Sequence, residues 1–114
     1  MRKPLKNNDF PKPPKNLSRE ARSWWTRLQA EYHLSDEAAQ FLLETALTAF
    51  DRMRQAQQSI AEHGVTVTDR WKQIKNNPAV TAERDARSGM LQAFRQLNLD
   101  VEPLRDGPGR PGGR

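Results

Sequence analysis

Cysteine is absent from this chain of 114 residues, which excludes disulfides and thiolate metal sites. Histidine is nearly absent: His33 and His63 stand alone, with no carboxylate or second histidine at metal-ligand spacing. No apolar run approaches the ~20 residues of a membrane span. No apolar segment follows the charged N-terminus, as a secretory signal requires. A soluble protein without membrane contact is expected. Also missing are the Gly-x-x-x-x-Gly-Lys-Ser/Thr loop that cradles phosphates and a serine in a nucleophile elbow. Asp36, Glu37, Glu44 and Asp51 spread around the polar side of one helical segment, as on a solvated face rather than a two-metal nuclease site. Together these absences argue against an enzyme, with no catalytic residue, no metal and no cofactor called for.

What the chain does have is charge and little to bury. Mean hydropathy is −0.94, and a domain of this size buries a modest fraction of its surface even with average composition. Such a chain gains from association with copies of itself. The net charge is +5. Arg2, Lys3, Lys6, Lys12 and Lys15 stand against the single acid Asp9, so four of those five charges fall in residues 1–17. Pro4, Pro11, Pro13 and Pro14 interrupt the same stretch, blocking helix and leaving too few apolar groups to order it. It reads as a basic, flexible arm of the kind that touches a polyanion. Residues 104–114, rich in glycine, proline and arginine, read as a flexible tail.

Three helices are expected in the domain between them, residues 18–103. The first opens at Ser18, a capping residue, with Glu20 suited to the positive helix end. Ala21, Trp24, Trp25, Leu28 and Tyr32 follow at helical spacing; Trp24 is expected in the core and Trp25 at a helix or subunit junction. The second helix runs from Ser35 or Asp36 to about His63, where Gly64 stops it. Its apolar face carries Ala39, Leu42, Leu43, Ala46, Phe50, Met53 and Ile60, and Phe41 and Leu47 widen that face beyond the usual stripe of ~100°. A helix apolar on so many sides needs more than one partner, the first helix and a neighbouring subunit being candidates. The third helix opens at Asn77-Pro78, buries Ala79, Ala82, Ala86, Met90, Phe94 and Leu97, and is capped by Asn98. Glu83 and Arg87 are spaced to pair within it or across an interface. Between the second and third helices, residues 65–76 alternate β-branched and polar side chains, predicting a short β-hairpin or an extended protrusion. A lone hairpin is barely stable in water, so packing on the helices or on another copy is expected. The fold class is therefore all-α: three main helices, the central one long, with the hairpin between helices two and three and an arm at each end.

Three features together resemble the tailed-phage terminase small subunit family. Pro13-Pro14-Lys15-Asn16-Leu17-Ser18-Arg19-Glu20-Ala21-Arg22-Ser23-Trp24-Trp25 is similar to the family's proline, Leu-Ser, Ala-Arg, Trp opening. The long helix ended by Gly64 leads through a Val-rich turn to Asn77-Pro78-Ala79. Leu97-Asn98-Leu99-Asp100-Val101-Glu102-Pro103-Leu104-Arg105 resembles the family's Leu-Gly-Leu, proline, arginine close, with Asn98 in place of the glycine and the proline later, at Pro103. The resemblance implies a ring of many copies that binds viral double-stranded DNA when packaging begins. It also implies regulation of the terminase large subunit, which owns the ATPase and nuclease, and action in the host cell cytoplasm during phage assembly. Two other readings stay open: a small basic helical DNA-binding regulator, and a phage assembly protein that binds no DNA.

The DNA-binding candidates are Arg2, Lys3, Lys6, Lys12, Lys15, Arg19 and Arg22, joined by Arg70, Lys72 and Lys75 around Trp71. Candidates for the oligomer interface are Phe41, Leu47, Trp25, Trp71, Glu83 and Arg87. Removal of residues 1–16 is expected to weaken DNA binding and leave assembly intact.

Overall fold

The computed structural model describes residues 10–99. Three helices, α1 (Arg19–Tyr32), α2 (Glu37–His63) and α3 (Pro78–Gln96), enclose the core, and strands β1 (Thr66–Thr68) and β2 (Ile74–Asn76) form a hairpin between α2 and α3. α2 is the common support: both α1 and α3 pack on it, α3 more extensively.

Local chemistry sets each helix boundary. The Ser18 hydroxyl accepts from the Ala21 amide to cap α1. His33 ends α1 in the left-handed conformation (φ 52°), its amide donating to Gln29 O. Asp36 caps α2 through the Ala39 amide at 2.7 Å. Gly64 closes α2 at φ 87° and ψ 174°, a backbone region open to glycine alone. At the end of α3 the left-handed residue is Asn98 (φ 60°), one place beyond the C-cap Leu97. The Leu99 amide donates to Phe94 O and the Asn98 amide to Arg95 O, the paired bonds of a Schellman motif. Asparagine thus does the work of a capping glycine.

The core is one cluster: Leu17, Ala21, Trp25 and Leu28 from the α1 side meet Leu43, Leu47, Phe50 and Met53 of α2. Met90, Phe94, Leu97 and Leu99 close it half-buried from the other side. The two tryptophans exchange the roles expected of them. Trp25 is 2% exposed, and its indole N–H donates to Pro11 O at 2.8 Å. Trp24, one residue or ~100° around the helix, is 39% exposed and forms one wall of a groove open between α1 and α3. The same bond shows that residues 10–17 are docked rather than free: Leu17 is buried and Phe10 stacks on His33 at 5.6 Å. Removal of residues 1–16 therefore takes away the acceptor of the Trp25 indole and the Phe10 stack as well as charge.

Two of the residues assigned to a subunit interface are used inside the protomer. Trp25 is one, and Leu47, 1% exposed, is the other. Leu47 falls one turn after Leu43 and three residues before Phe50, in the middle of the arc between α1 and α3. Phe41, about 120° away by helical geometry, is 69% exposed on the opposite side. On α3, Ala82 is exposed, whereas Ala93 is buried.

The hairpin makes no extended contact with the helices. It is held at its base. The Asn77 amide N–H donates to Val65 O and its side-chain Nδ2 to Gly64 O, both at 2.8 Å, while Oδ1 accepts from the Ala79 amide at 3.0 Å. Asn77 is 5% exposed, so these groups are shielded from water. Replacing Asn77 with alanine should cost about 1–3 kcal/mol in urea-unfolding free energy, because the cap is removed and a carbonyl is left unpaired. A loss below about 0.5 kcal/mol, the usual scatter of neutral surface changes, would show that Asn77 does not clamp the hairpin.

Candidate nucleic-acid interface

Three acids of the described region hold helices together. Asp51 of α2 receives the Ser18 backbone N–H at 2.8 Å and the Ser18 hydroxyl, so a carboxylate already sits at the start of α1. Glu20 accepts from Arg54 at 3.1 and 3.3 Å. Glu83 accepts from Gln57 of α2 at 3.2 Å and pairs with Arg87, so both Glu83 and Arg87 act first within the protomer. Ion pairs among the described residues engage Arg54, Lys75, Arg84 and Arg87.

Lys12, Lys15, Arg19 and Arg22 are all exposed and enter none of those pairs. Lys12 and Lys15 lie on the segment leading into α1, and Arg19 and Arg22 follow at i, i+3 on its first turn. Cations at a helix N-terminus oppose the macrodipole, so Arg19 and Arg22 gain nothing from their position in the isolated chain. Arg27, further along α1, lies over the Trp24 ring at 4.8 Å. Arg2, Lys3 and Lys6 lie outside the described residues.

The second cationic group is on the hairpin, about 20 Å further along the α2 axis if Asp51 and Gly64 mark the two places. The structure does not bring the two groups together. Strands β1 and β2 pair antiparallel with Val67 opposite Lys75, and residues 69–73 close the loop. Asp69 organises that loop: its carboxylate accepts from the Trp71 amide at 2.8 Å and the Gln73 amide at 2.9 Å, and Lys75 lies 3.3 Å away. Lys72 takes a positive φ of 65° with its amide donating to Asp69 O. The outcome is a loop with Trp71 65% exposed and the Arg70 guanidinium 4.5 Å from its ring centroid. Lys75 is engaged by Asp69, so Arg70 and Lys72 are the hairpin cations without an acidic partner.

The Gln73 amide holds the Asp69 carboxyl below the usual carboxylate range, partial burial opposes this, and the Trp71 amide and Lys75 add to the lowering. A carboxyl with a lowered folded-state pKa favours order above its open-chain value, and that contribution is lost as pH falls through the lowered one. The backbone amide resonances of Trp71 and Gln73 should therefore titrate together in acid, with a midpoint below the ordinary carboxylate value, and Asp69→Asn should abolish the step. A step that persists in the variant would show that another group controls the loop.

Among the described residues no cluster of metal-ligating side chains is present, and no helix is long and apolar enough to cross a membrane. No curated protein and no solved structure matches the chain. Residues 21–102 match the family described as phage terminase, small subunit. The match takes in α1 from Ala21 onward, α2, the hairpin, α3 and the Schellman close, more than half of the sequence. The chain belongs to the phage terminase small subunit family.

Proposed function

We propose that this chain is a non-catalytic DNA-packaging adaptor: a homo-oligomer that binds viral double-stranded DNA and regulates the large subunit's ATPase and nuclease as packaging begins. The observation that carries the DNA-binding part is the exposed run Lys12, Lys15, Arg19 and Arg22, cations without ion-pair partners at the positive end of a helix. Phosphates are their natural counterions: binding releases the cations condensed on DNA, and the gain is greatest at low salt. Arg70 and Lys72 supply a second contact, with Trp71 beside them. Lys75 contributes less because Asp69 holds it. A few phosphate contacts per copy bind weakly, and a ring of many copies, the arrangement the resemblance implies, multiplies them along one duplex. The family assignment supports the place of this activity, phage assembly in the host cell cytoplasm.

The test is DNA affinity measured across a salt series. Log affinity should fall linearly with log salt, and the double variant Arg19→Ala/Arg22→Ala should weaken binding and reduce the slope by about 2, roughly one for each phosphate no longer neutralised. An affinity independent of salt, or no retention on DNA at all, would favour the assembly protein that binds no DNA. A salt-dependent chain that stays monomeric or dimeric would favour the small DNA-binding regulator.

A further inference from the structure

The hairpin loop holds an aromatic ring out in water. Trp71 is 65% exposed, and Ile74, the next apolar side chain along the loop, is 76% exposed, so neither covers the other. The hairpin makes no extended contact with the helices. Trp25 is sealed in the core and Trp24 walls the groove between α1 and α3, whereas the Trp71 ring has no such use within the protomer.

The loop that carries it is nonetheless well built. The Asp69 carboxylate accepts from the Trp71 and Gln73 amides at 2.8 and 2.9 Å. The Asp69 amide donates to Gln73 O at 3.0 Å, and the Lys72 amide donates to Asp69 O at 2.9 Å. The backbone at Trp71 is therefore fixed before any partner arrives, and a partner need not order it on binding. The Arg70 guanidinium lies 4.5 Å from the Trp71 ring centroid, against one face of the indole. With so much of the residue exposed, the other face is open.

We propose that this loop takes an unpaired DNA base, stacked on the open face of Trp71, with Arg70 behind the ring and Lys72 on a flanking phosphate. This stacking rests on the DNA-binding reading above and specifies what the second contact takes hold of. A flat indole accepts any base through its π-face, without hydrogen-bond readout. Arg70 and Lys72 stand on either side of it in sequence and enter no ion pair among the described residues, while Lys75 is held by Asp69. A base on the ring brings its own phosphates to those two cations.

The single open face decides which form of DNA fits. Insertion between two stacked base pairs needs both faces of a ring, and Arg70 occupies one of them. A base inside an intact duplex is covered by its neighbours above and below and offers only its edge in the grooves. A one-faced platform therefore suits a base already out of the stack, in a single-stranded stretch or an overhang.

The full chain should be titrated by fluorescence anisotropy against a blunt duplex, the same duplex with a single-stranded overhang, and the same overhang made abasic. Abasic residues keep the phosphates and remove the rings. The wild-type chain should favour the base-bearing overhang over the abasic one by on the order of tenfold or more. Trp71→Ala should abolish that preference and leave the blunt and abasic affinities, and their salt slopes, unchanged, because a stacked base neutralises no phosphate. Trp71→Phe, which keeps a ring, should retain part of the preference, and both variants should match the wild type in far-UV circular dichroism. Equal binding of the two overhangs by the wild type, as expected of a loop that serves an acidic protein partner instead, would overturn the proposal. So would an alanine variant that weakens on all three probes alike, since the ring would then act on the protein rather than on a base. Salt-dependent retention of the blunt duplex without any base preference would refute the stacking and leave the proposed function standing. A base preference without retention of the blunt duplex would do the reverse.

Discussion

Every other feature of this protein depends on one constraint, the need to cover a 27-residue helix in a chain with few apolar residues. Leu43 and Leu47 are sealed almost completely and Phe50 and Met53 nearly so, each worth roughly 1.5–3 kcal/mol when taken from water. Two helices are required for this, because the buried arc of α2 is too wide for one. α1 has 14 residues and covers only the first part of α2. Beyond it, α2 and α3 continue as a pair with no third layer, and there the packing thins to alanines such as Ala56 and Ala79. The hairpin emerges from that thin end, where no helix lies near enough to pack against it, and so depends on Asn77 and Gly64 at its base.

The distribution of charge follows from the same packing. Bringing α1 and α3 against α2 recruits acids as tethers: Asp51 to Ser18, Glu20 to Arg54, Glu83 to Gln57 and Arg87. Each is a partly exposed contact of modest strength. With those acids engaged, the cations at the start of α1 and two in the hairpin loop enter no ion pair among the described residues, and neither do Arg27, Arg52 and Arg95 elsewhere on the helices. The cations at the start of α1 thus lie beside two of these tethers, Asp51 to Ser18 and Glu20 to Arg54.

Much of this was legible in the sequence because it is governed by local rules. Ser18, Asp36 and Asn77 cap helices wherever they precede a run with helical periodicity, Gly64 stops one, and Pro78 fits the first turn. Asn98 in the left-handed position needed only the knowledge that asparagine tolerates it. The hairpin followed from alternation between residues 65 and 76. The basic candidates at Lys12, Lys15, Arg19 and Arg22 were visible as a run of like charges.

The sequence by itself thus determined the elements, their ends and the order of charge along the chain, since each depends on neighbours a few residues away. Tertiary structure alone decided which side of each element faces inward. Trp24 and Trp25 differ by a single step around α1, and only the placement of α2 and Pro11 chooses Trp25 for the core. Leu47 and Phe41 both look like surplus apolar groups on α2, yet the angle at which α1 and α3 straddle it buries one and exposes the other. Gln29, polar and fully buried, and Lys75, engaged by Asp69, are further cases. Burial and ion pairing are set by contacts between residues distant in sequence, and periodicity carries no information about where those partners lie.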